Sequence, residues 1–244
     1  MRIYTLNVNG FRGDKKMGTT ISEQELLTNM EHLKSLAEEI IEDEKDILIL
    51  EEVPHGAFTR LGGWSWSESS AYRKFLSAFS EYQIIRPRRL IPSLQCTVGL
   101  CKRNSGWEES ELWISNEKND FENKVIGIAY GEVSLLGLHM NPSEEMWELL
   151  LASCKTYRPT LVIGDFNSYE KRGSMRHMPK ELRNLGYCSY IPSNVITNHR
   201  CNSSIDNIYV AEDKHIKSGY SLYVRRIAFT DHSLCGIEIN ELAS

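Results

Sequence analysis

The run Pro159-Thr160-Leu161-Val162-Ile163-Gly164-Asp165-Phe166-Asn167-Ser168 restricts the folds open to this chain more than any other stretch. Residues 160–163 are continuously apolar and rich in β-branched side chains, the pattern of a strand buried on both faces. Gly164 ends the run and lets the backbone turn sharply or approach a ligand, so Asp165 and Asn167 fall in the loop at the strand's carboxyl end. An Asp-x-Asn in that position suits phosphate or metal chemistry. It equally suits an Asx-type turn, since Asp and Asn both favour turns.

Other segments repeat the pattern. Residues 2–8 read as a strand that stops at Asn9-Gly10, which leaves Asn7 at its end. Residues 47–50 form a second buried strand and run into Glu51-Glu52. Neighbouring side chains on a strand point opposite ways, so at most one of these two carboxylates is expected to face a shared site, with Glu51 facing elsewhere. A strand is expected over 97–101. Residues 125–130 and 134–138 make a hairpin around Gly131-Glu132, and its second strand delivers His139. Residues 204–210 alternate as a strand with Asp206 in its middle, and Asp231-His232 precede a last strand over 233–239.

Helices are expected between these strands. Ser22 and Glu25 form a capping box, Ile21 and Leu26 a hydrophobic staple, and Leu26, Met30, Leu33, Ala37 and Ile40 recur at helical spacing from Glu23 onward. Residues 58–79 read as a glycine-rich turn (Leu61-Gly62-Gly63-Trp64-Ser65-Trp66) followed by a helix through Tyr72, Phe75, Leu76 and Phe79. Trp64 and Trp66 read as aromatics at the edge of the core, with base or sugar stacking as the alternative. Further helices are expected over 144–157 and 179–185, the latter stopped by Gly186.

Bulk properties narrow the function. The 244 residues carry 28 Lys and Arg against 33 Asp and Glu, a net charge of −5, so the global basic field of a non-specific duplex binder is absent, although a local basic groove would suffice for nucleic acid. Arg86, Arg88 and Arg89 are the densest positive cluster, while residues 108–122 are acidic and loop-like. The six cysteines have neither zinc-like spacing nor a C-x-x-C pair and are read as reduced thiols. Neither a signal peptide nor a membrane-spanning run is recognisable, so a single-domain, monomeric, cytoplasmic protein without a membrane span is expected over residues 1–244.

Asn7, Glu52, His139, Asp165, Asn167, Asp231 and His232 thus all stand at the ends of expected strands, and Asp206 lies within one. Strand ends are where a rigid scaffold meets open loops. Several carboxylates, two amides and two histidines suit a hard divalent cation with a phosphate ester: Mg²⁺ takes one or two carboxylates, several waters and substrate oxygens, whereas zinc prefers nitrogen and sulfur. His32, His55, His177, His199 and His215 are read as ordinary core or surface histidines.

Leu6-Asn7-Val8-Asn9-Gly10, Leu50-Glu51-Glu52-Val53, Leu138-His139, Gly164-Asp165-Phe166-Asn167, Ile205-Asp206-Asn207-Ile208 and Thr230-Asp231-His232-Ser233 resemble, in this order, the motifs of the endonuclease/exonuclease/phosphatase superfamily, typified by deoxyribonuclease I and exonuclease III. The resemblance implies an α/β protein, a four-layer α/β/β/α sandwich of two mainly antiparallel sheets with outer helices. It also implies a Mg²⁺-dependent phosphoesterase, with Mn²⁺ as a substitute. Carried over, Glu52 is the main metal carboxylate, with Asn7 and Asp231 in the metal set. Asp165 orients or deprotonates the attacking water, Asn167 holds a phosphate oxygen, and His232, oriented by Asp206, contacts the scissile phosphate. His139 matches the histidine of the deoxyribonuclease and sphingomyelinase branches. Asn9 is added as substrate-binding; apart from the resemblance, the charge of Arg86, Arg88 and Arg89 would bind substrate by tracking a phosphate backbone if the substrate is a polynucleotide, with a solvated loop as the default.

Glu51 departs from the Gln of many members, the last motif lacks its usual Pro, and Ile-Asp-Asn replaces Ile-Asp-Tyr. None of these changes removes a ligand. A hydrolase, most of all a nuclease acting on phosphodiesters, is therefore expected. A phosphomonoesterase or a lipid or nucleotide phosphodiesterase on the same site, and an inactive binding module, are the alternatives.

Overall fold

The computed structural model describes residues 1–16, 18–60, 64–115, 121–167, 178–213 and 216–242. The Leu61-Gly62-Gly63 part of the expected turn, Ser168 and the two histidines His177 and His215 lie outside the described residues. Along the chain come β1 (Arg2–Asn7), α1 (Glu23–Ile40), β2 (Ile47–Pro54), β3 (Gly56–Arg60), β4 (Trp64–Glu68), α2 (Ser70–Ala78), β5 (Tyr82–Ile85) and β6 (Gln95–Lys102). They are followed by β7 (Glu108–Glu109), β8 (Val125–Tyr130), β9 (Val133–His139), α3 (Glu144–Tyr157), β10 (Leu161–Asp165), α4 (Met178–Asn184), β11 (Tyr187–Ser189), β12 (Asp206–Ala211), β13 (Ile216–Arg226) and β14 (Ser233–Leu242).

Two six-stranded sheets result, in the orders β13-β14-β1-β2-β6-β5 and β11-β12-β10-β9-β8-β7. Each has one parallel pair at its centre, β1 with β2 and β9 with β10, and antiparallel pairs elsewhere. The alternation of side chains along β2 shows how the layers stack. Ile47 and Ile49 enter the core between the sheets, against Leu161, Ile163 and Ile208 of the second sheet. Leu48 and Leu50 face the other way, into a core shared with Met30, Leu33 and Ala37 of α1 and Phe75 of α2. A third core joins Leu136, Leu138 and Val162 to Met146, Trp147 and Leu150 of α3 and Leu182 of α4. Three cores separating four layers are the α/β/β/α sandwich.

The helix boundaries follow from local chemistry. Ser22 Oγ accepts the Glu25 amide at 3.1 Å while the Glu25 carboxylate accepts the Ser22 amide at 3.0 Å, so the capping box is complete. Ser143 caps α3 by accepting from the Met146 amide at 3.2 Å. Among the described residues no helix is long and apolar enough to cross a membrane, and none of the six cysteines is in a disulfide.

Expectation and structure differ in several places, and the short strands β5, β7 and β11 were not expected. The segment before α2 is an antiparallel hairpin, β3 with β4, because its alternating Trp-Ser-Trp-Ser pairs across strands instead of continuing the helical spacing of α2. Strand β13, poor in consecutive apolar residues, was not expected and pairs at a sheet edge with β14. Asp206 opens its strand rather than sitting in the middle of it.

Candidate active site

Three strands of the second sheet bring their polar ends abreast. In the parallel register of β9 with β10, His139 lies beside Asp165, and in the antiparallel register of β10 with β12, Asp165 lies beside Asp206. The first sheet supplies Asn7 from the end of β1 and Glu52 from β2, and Thr230 Oγ1 donates to the Asn7 carbonyl at 2.7 Å, which fixes Asp231 and His232 next to them. Asn7, Glu52, His139, Asp165, Asp206, Asp231 and His232 are all buried.

Local backbone irregularities aim these groups. The pairing of β2 with β6 slips between Leu50 and Val53, a bulge at which Glu52 takes φ +55°. A bulge re-aims side chains, and here it breaks the simple alternation that would send one glutamate away. Glu51 stays buried beneath the site and takes a hydrogen bond from Thr5, while Glu52 turns toward Asn7 and His139. At Gly164, φ +139°, a Cβ would lie 1.9 Å from the Leu138 carbonyl oxygen, so only glycine lets β10 lie this close to β9. The Asx turn and the site are one structure: the Asn167 amide donates to Asp165 Oδ1 at 2.8 Å, which leaves Oδ2 to the other residues of the site.

Asp165 Oδ2 is the centre of the arrangement. It lies 3.0 Å from Asn7 Nδ2, 3.9 Å from His232 Nε2 and 4.0 Å from His139 Nε2. Glu52 Oε1 is 3.2 Å from Asn7 Nδ2 and 3.5 Å from His139 Nε2, and Glu52 Oε2 accepts from Gln95 at 2.7 Å and from Arg12 at 3.2 Å. His232 Nδ1 bonds Asp206 at 2.9 Å, and the Asn198 amide lies 2.8 Å from His232 Nε2. Asp231 Oδ2 pairs with Arg200 at 3.0 Å.

The electrostatics separate these groups by role. Burial pushes Asp165 up to about 7, with the neighbouring Asp206 carboxylate adding to it. Burial alone would lower His232, but the charge and hydrogen bond of Asp206, with Asp165 and Asp231, raise it to about 10, which favours the charged ring; a protonated Nε2 then requires the Asn198 side-chain nitrogen, 2.8 Å away, to give way. Burial lowers His139 to about 4 despite Glu52, which leaves that ring neutral. Burial would raise Glu52, but His139, Asn7, Gln95 and Arg12 hold it below the ordinary carboxylate range. With His139 neutral, the lasting support comes from the two amides and the guanidinium. Glu51 is pushed well above its ordinary value by burial, which favours its neutral form.

The sequence-derived residues sort accordingly. Asn7 turns its amide nitrogen toward both carboxylates while its Oδ1 accepts the Asn9 amide at 2.8 Å, so it orients Glu52 and Asp165 rather than offering them an oxygen. Asn167 Nδ2 donates to the Met140 carbonyl at 2.8 Å. Asn9 spends its side chain on Gly13, Lys15 and Arg12, shaping its own loop. Arg86 lies over the Tyr72 ring at 5.8 Å, and Arg88 pairs with Glu111, so this cluster is drawn to an aromatic ring and to the acidic 108–122 segment, not to the site. Arg12, Gln95, Lys124 and Asn198 were missed. Gln95 and Lys124 stand at the starts of β6 and β8, and attention to both ends of each strand would have found them.

Among the described residues one grouping brings three ligating atoms together, and Glu52 and Asp231 each offer carboxylate oxygens outside it. Asp165, Asp206 and His232 have ligating atoms within 4.8 Å of one another, but His232 Nδ1 already holds Asp206, so this trio reads as a unit for handling protons. By donor chemistry Glu52 and Asp231 suit a hard divalent cation, since both are carboxylates, and Asp231 Oδ1 is buried without a hydrogen-bond partner.

No protein-family model and no curated protein matches the sequence. The fold does match solved structures. A 3'-5' exonuclease (NExo) from Neisseria meningitidis is 14% identical, with 99% of this chain and 100% of that one covered and a TM-score of 0.66. The endonuclease domain of TRAS1, a telomere-specific non-LTR retrotransposon, is 14% identical over 98% of both chains, TM-score 0.63. An AP endonuclease from Archaeoglobus fulgidus is 15% identical over 99% of this chain and 100% of that one, TM-score 0.59. The chain therefore has the fold of these nucleases over nearly its whole length.

Proposed function

We infer that this chain is a Mg²⁺-dependent phosphoesterase that cleaves phosphodiester bonds of nucleic acid. The observation that carries this reading is the position of Asp165 Oδ2 between Asn7, His139 and a cationic His232, with Glu52 alongside. That the fold's neighbours include an exonuclease, an AP endonuclease and a retrotransposon endonuclease domain supports it.

Glu52 and Asp231 would hold the ion, which when bound supplies charge neutralisation to the phosphate oxygens. Asp165, with its pKa near 7, takes the proton of an attacking water, and Asn7 keeps the carboxylate aimed. His232, kept charged by Asp206, places a cationic N–H donor where negative charge grows on the phosphate. The neutral His139 ring stands on the opposite side of Asp165, as a donor or acceptor for the leaving oxygen.

The test is a substrate panel of single-stranded, duplex and abasic DNA, RNA and phosphomonoesters, each with Mg²⁺, Mn²⁺ and chelator. Chelator-sensitive cleavage of a nucleic acid, lost in Asp165→Asn, is expected. Inactivity on every polymer, or cleavage unaffected by chelator, refutes the reading.

A further inference from the structure

Beside Glu52 the surface opens into a cleft of about 580 Å³ whose walls include Arg12, Phe58, Pro92, Leu94, Gln95 and Lys124. Its two ends differ in chemistry. At the inner end, Arg12 and Gln95 are the side chains that bond Glu52 Oε2, and Lys124 is within electrostatic reach of both Glu52 and Asp165. Arg12 is paired with Glu52, which leaves the Lys124 charge to face the single negative charge of a phosphodiester held at the site. The outer end is neutral and apolar. Phe58 is 44% exposed and Leu94 61%, although large apolar side chains elsewhere among the described residues are nearly all covered.

These two side chains are held by a fixed frame. Phe58 lies opposite Trp66 in the β3–β4 register, so both project from the same face of the hairpin. Trp66 Nε1 donates to the Ser93 carbonyl at 3.0 Å, its ring packs on His55 at 5.0 Å, and the His55 amide donates to the Leu94 carbonyl at 2.8 Å. A Cβ at Gly56 would lie 2.0 Å from Trp66 Nε1, so glycine is what lets the indole cross the strand and tie the hairpin to the 92–95 segment. An exposed ring and an exposed leucine are thus presented beside the catalytic edge, with little rotational freedom left to the backbone that carries them.

We propose that this cleft seats one unpaired nucleobase adjacent to the scissile phosphate, against Phe58 and Leu94, so that single-stranded or frayed nucleic acid is preferred over closed duplex. The proposal rests on the nuclease reading above. A base is neutral, planar and joined to the phosphate through one sugar, which matches a cleft that is cationic at its inner end and apolar at its outer end. The volume lies in the range of sites for single small ligands. An acyl chain would leave the Lys124 charge at the inner end without a partner. Stacking on an aromatic ring is tolerant of sequence, because every base has a π-face.

The experiment uses the full chain with Mg²⁺ and compares wild type, Phe58→Ala and Phe58→Trp. The substrates are a single-stranded oligonucleotide, the same strand in a blunt duplex, and single strands with one abasic position moved stepwise past the cleavage site. Phe58→Ala is expected to lower kcat/KM on the single strand by about 10- to 100-fold, the size of one stacked base, mainly through KM, with Phe58→Trp restoring it. The penalty should vanish when the abasic position occupies the cleft. In Asp165→Asn protein, a 2-aminopurine base at that position should be quenched, and Phe58→Ala should remove the quenching. Circular dichroism confirms folding. If wild type cleaves the strand and Phe58→Ala is indifferent, equally slow on abasic strands, or the blunt duplex is cut as fast as the single strand, the cleft proposal falls and the nuclease reading stands. If wild type cleaves no nucleic acid but hydrolyses sphingomyelin in vesicles, both fall together.

Discussion

Replacing Asp206 with Asn tests how the site keeps His232 charged. In the wild type burial pulls the ring down, but Asp206 and the more distant Asp165 and Asp231 outweigh it and raise the pKa from 6.5 to about 10. At about 1.4 kcal/mol per tenfold, that rise amounts to about 5 kcal/mol in favour of the charged ring. Removing one partner of a buried ion pair costs about 3–5 kcal/mol, the same size. The sign is that of a raised histidine: the stabilisation is fully present below pH 6.5 and is lost as pH rises through about 10. Asn keeps the shape of the side chain but removes the charge, so burial goes largely unopposed and the His232 midpoint should fall below neutrality. The assay is NMR titration of the ring in metal-free protein, with urea unfolding at pH 6, 7.5 and 9 (roughly spaced across the window). Wild type should show no His232 titration below about pH 9, and the stability gap between wild type and variant should narrow as pH rises toward 10. Turnover near pH 7 should drop by about 10²–10³. A wild-type ring that titrates near 6.5, or a midpoint unmoved by Asp206→Asn, would refute the reasoning.

Glu52→Gln should abolish most Mg²⁺ binding in titration calorimetry while Glu51→Gln leaves it nearly intact, because Glu51 is fully buried and bonded to Thr5 beneath the site; an equal loss in both sinks the assignment. The triple substitution of Arg86, Arg88 and Arg89 by Ala should leave the salt dependence of nucleic-acid binding unchanged, whereas Lys124→Met should reduce its slope by about 0.7–0.9, one phosphate contact; the opposite pattern would move the groove to the arginine cluster. Away from the site, Asp46 accepts hydrogen bonds from the Arg2 backbone and guanidinium and from the Glu42 and Asp43 amides. Burial opposes its ionisation, but these bonds leave its pKa below 3.8. Asp46→Asn should cost about 3 kcal/mol near neutral pH. Because the pKa is depressed, this contribution is present above about 3.8 and lost as pH falls through the folded value, so acid unfolding curves of wild type and variant should converge at low pH.

Much of the frame was legible in the chain itself. Continuous apolar runs such as 47–50 and 160–163 mark strands that must be covered on both faces, and Ser22 with Glu25 marks a helix start, because these signals are complete within a few residues. The same locality placed Asn7, His139, Asp165 and His232 at strand ends. Hairpin β3–β4 and strand β13 were not legible, since few of their residues are apolar and their pairing is chosen by distant partners or a sheet edge.

Side-chain direction and protonation were decided only by tertiary structure. The bulge that keeps Glu51 under the site and turns Glu52 into it exists because β2 must pair with β6, more than forty positions on. Asp165 is raised to about 7 because packing buries it and the antiparallel register adds the charge of Asp206 beside it, and Arg12, Gln95 and Asn198 become partners of Glu52 and His232 only once the sheets are packed. Local propensity depends on neighbours in sequence. The charge on a buried carboxylate or imidazole depends on what surrounds it in space, and here those surroundings come from residues as far apart as Asn7 and Asp165.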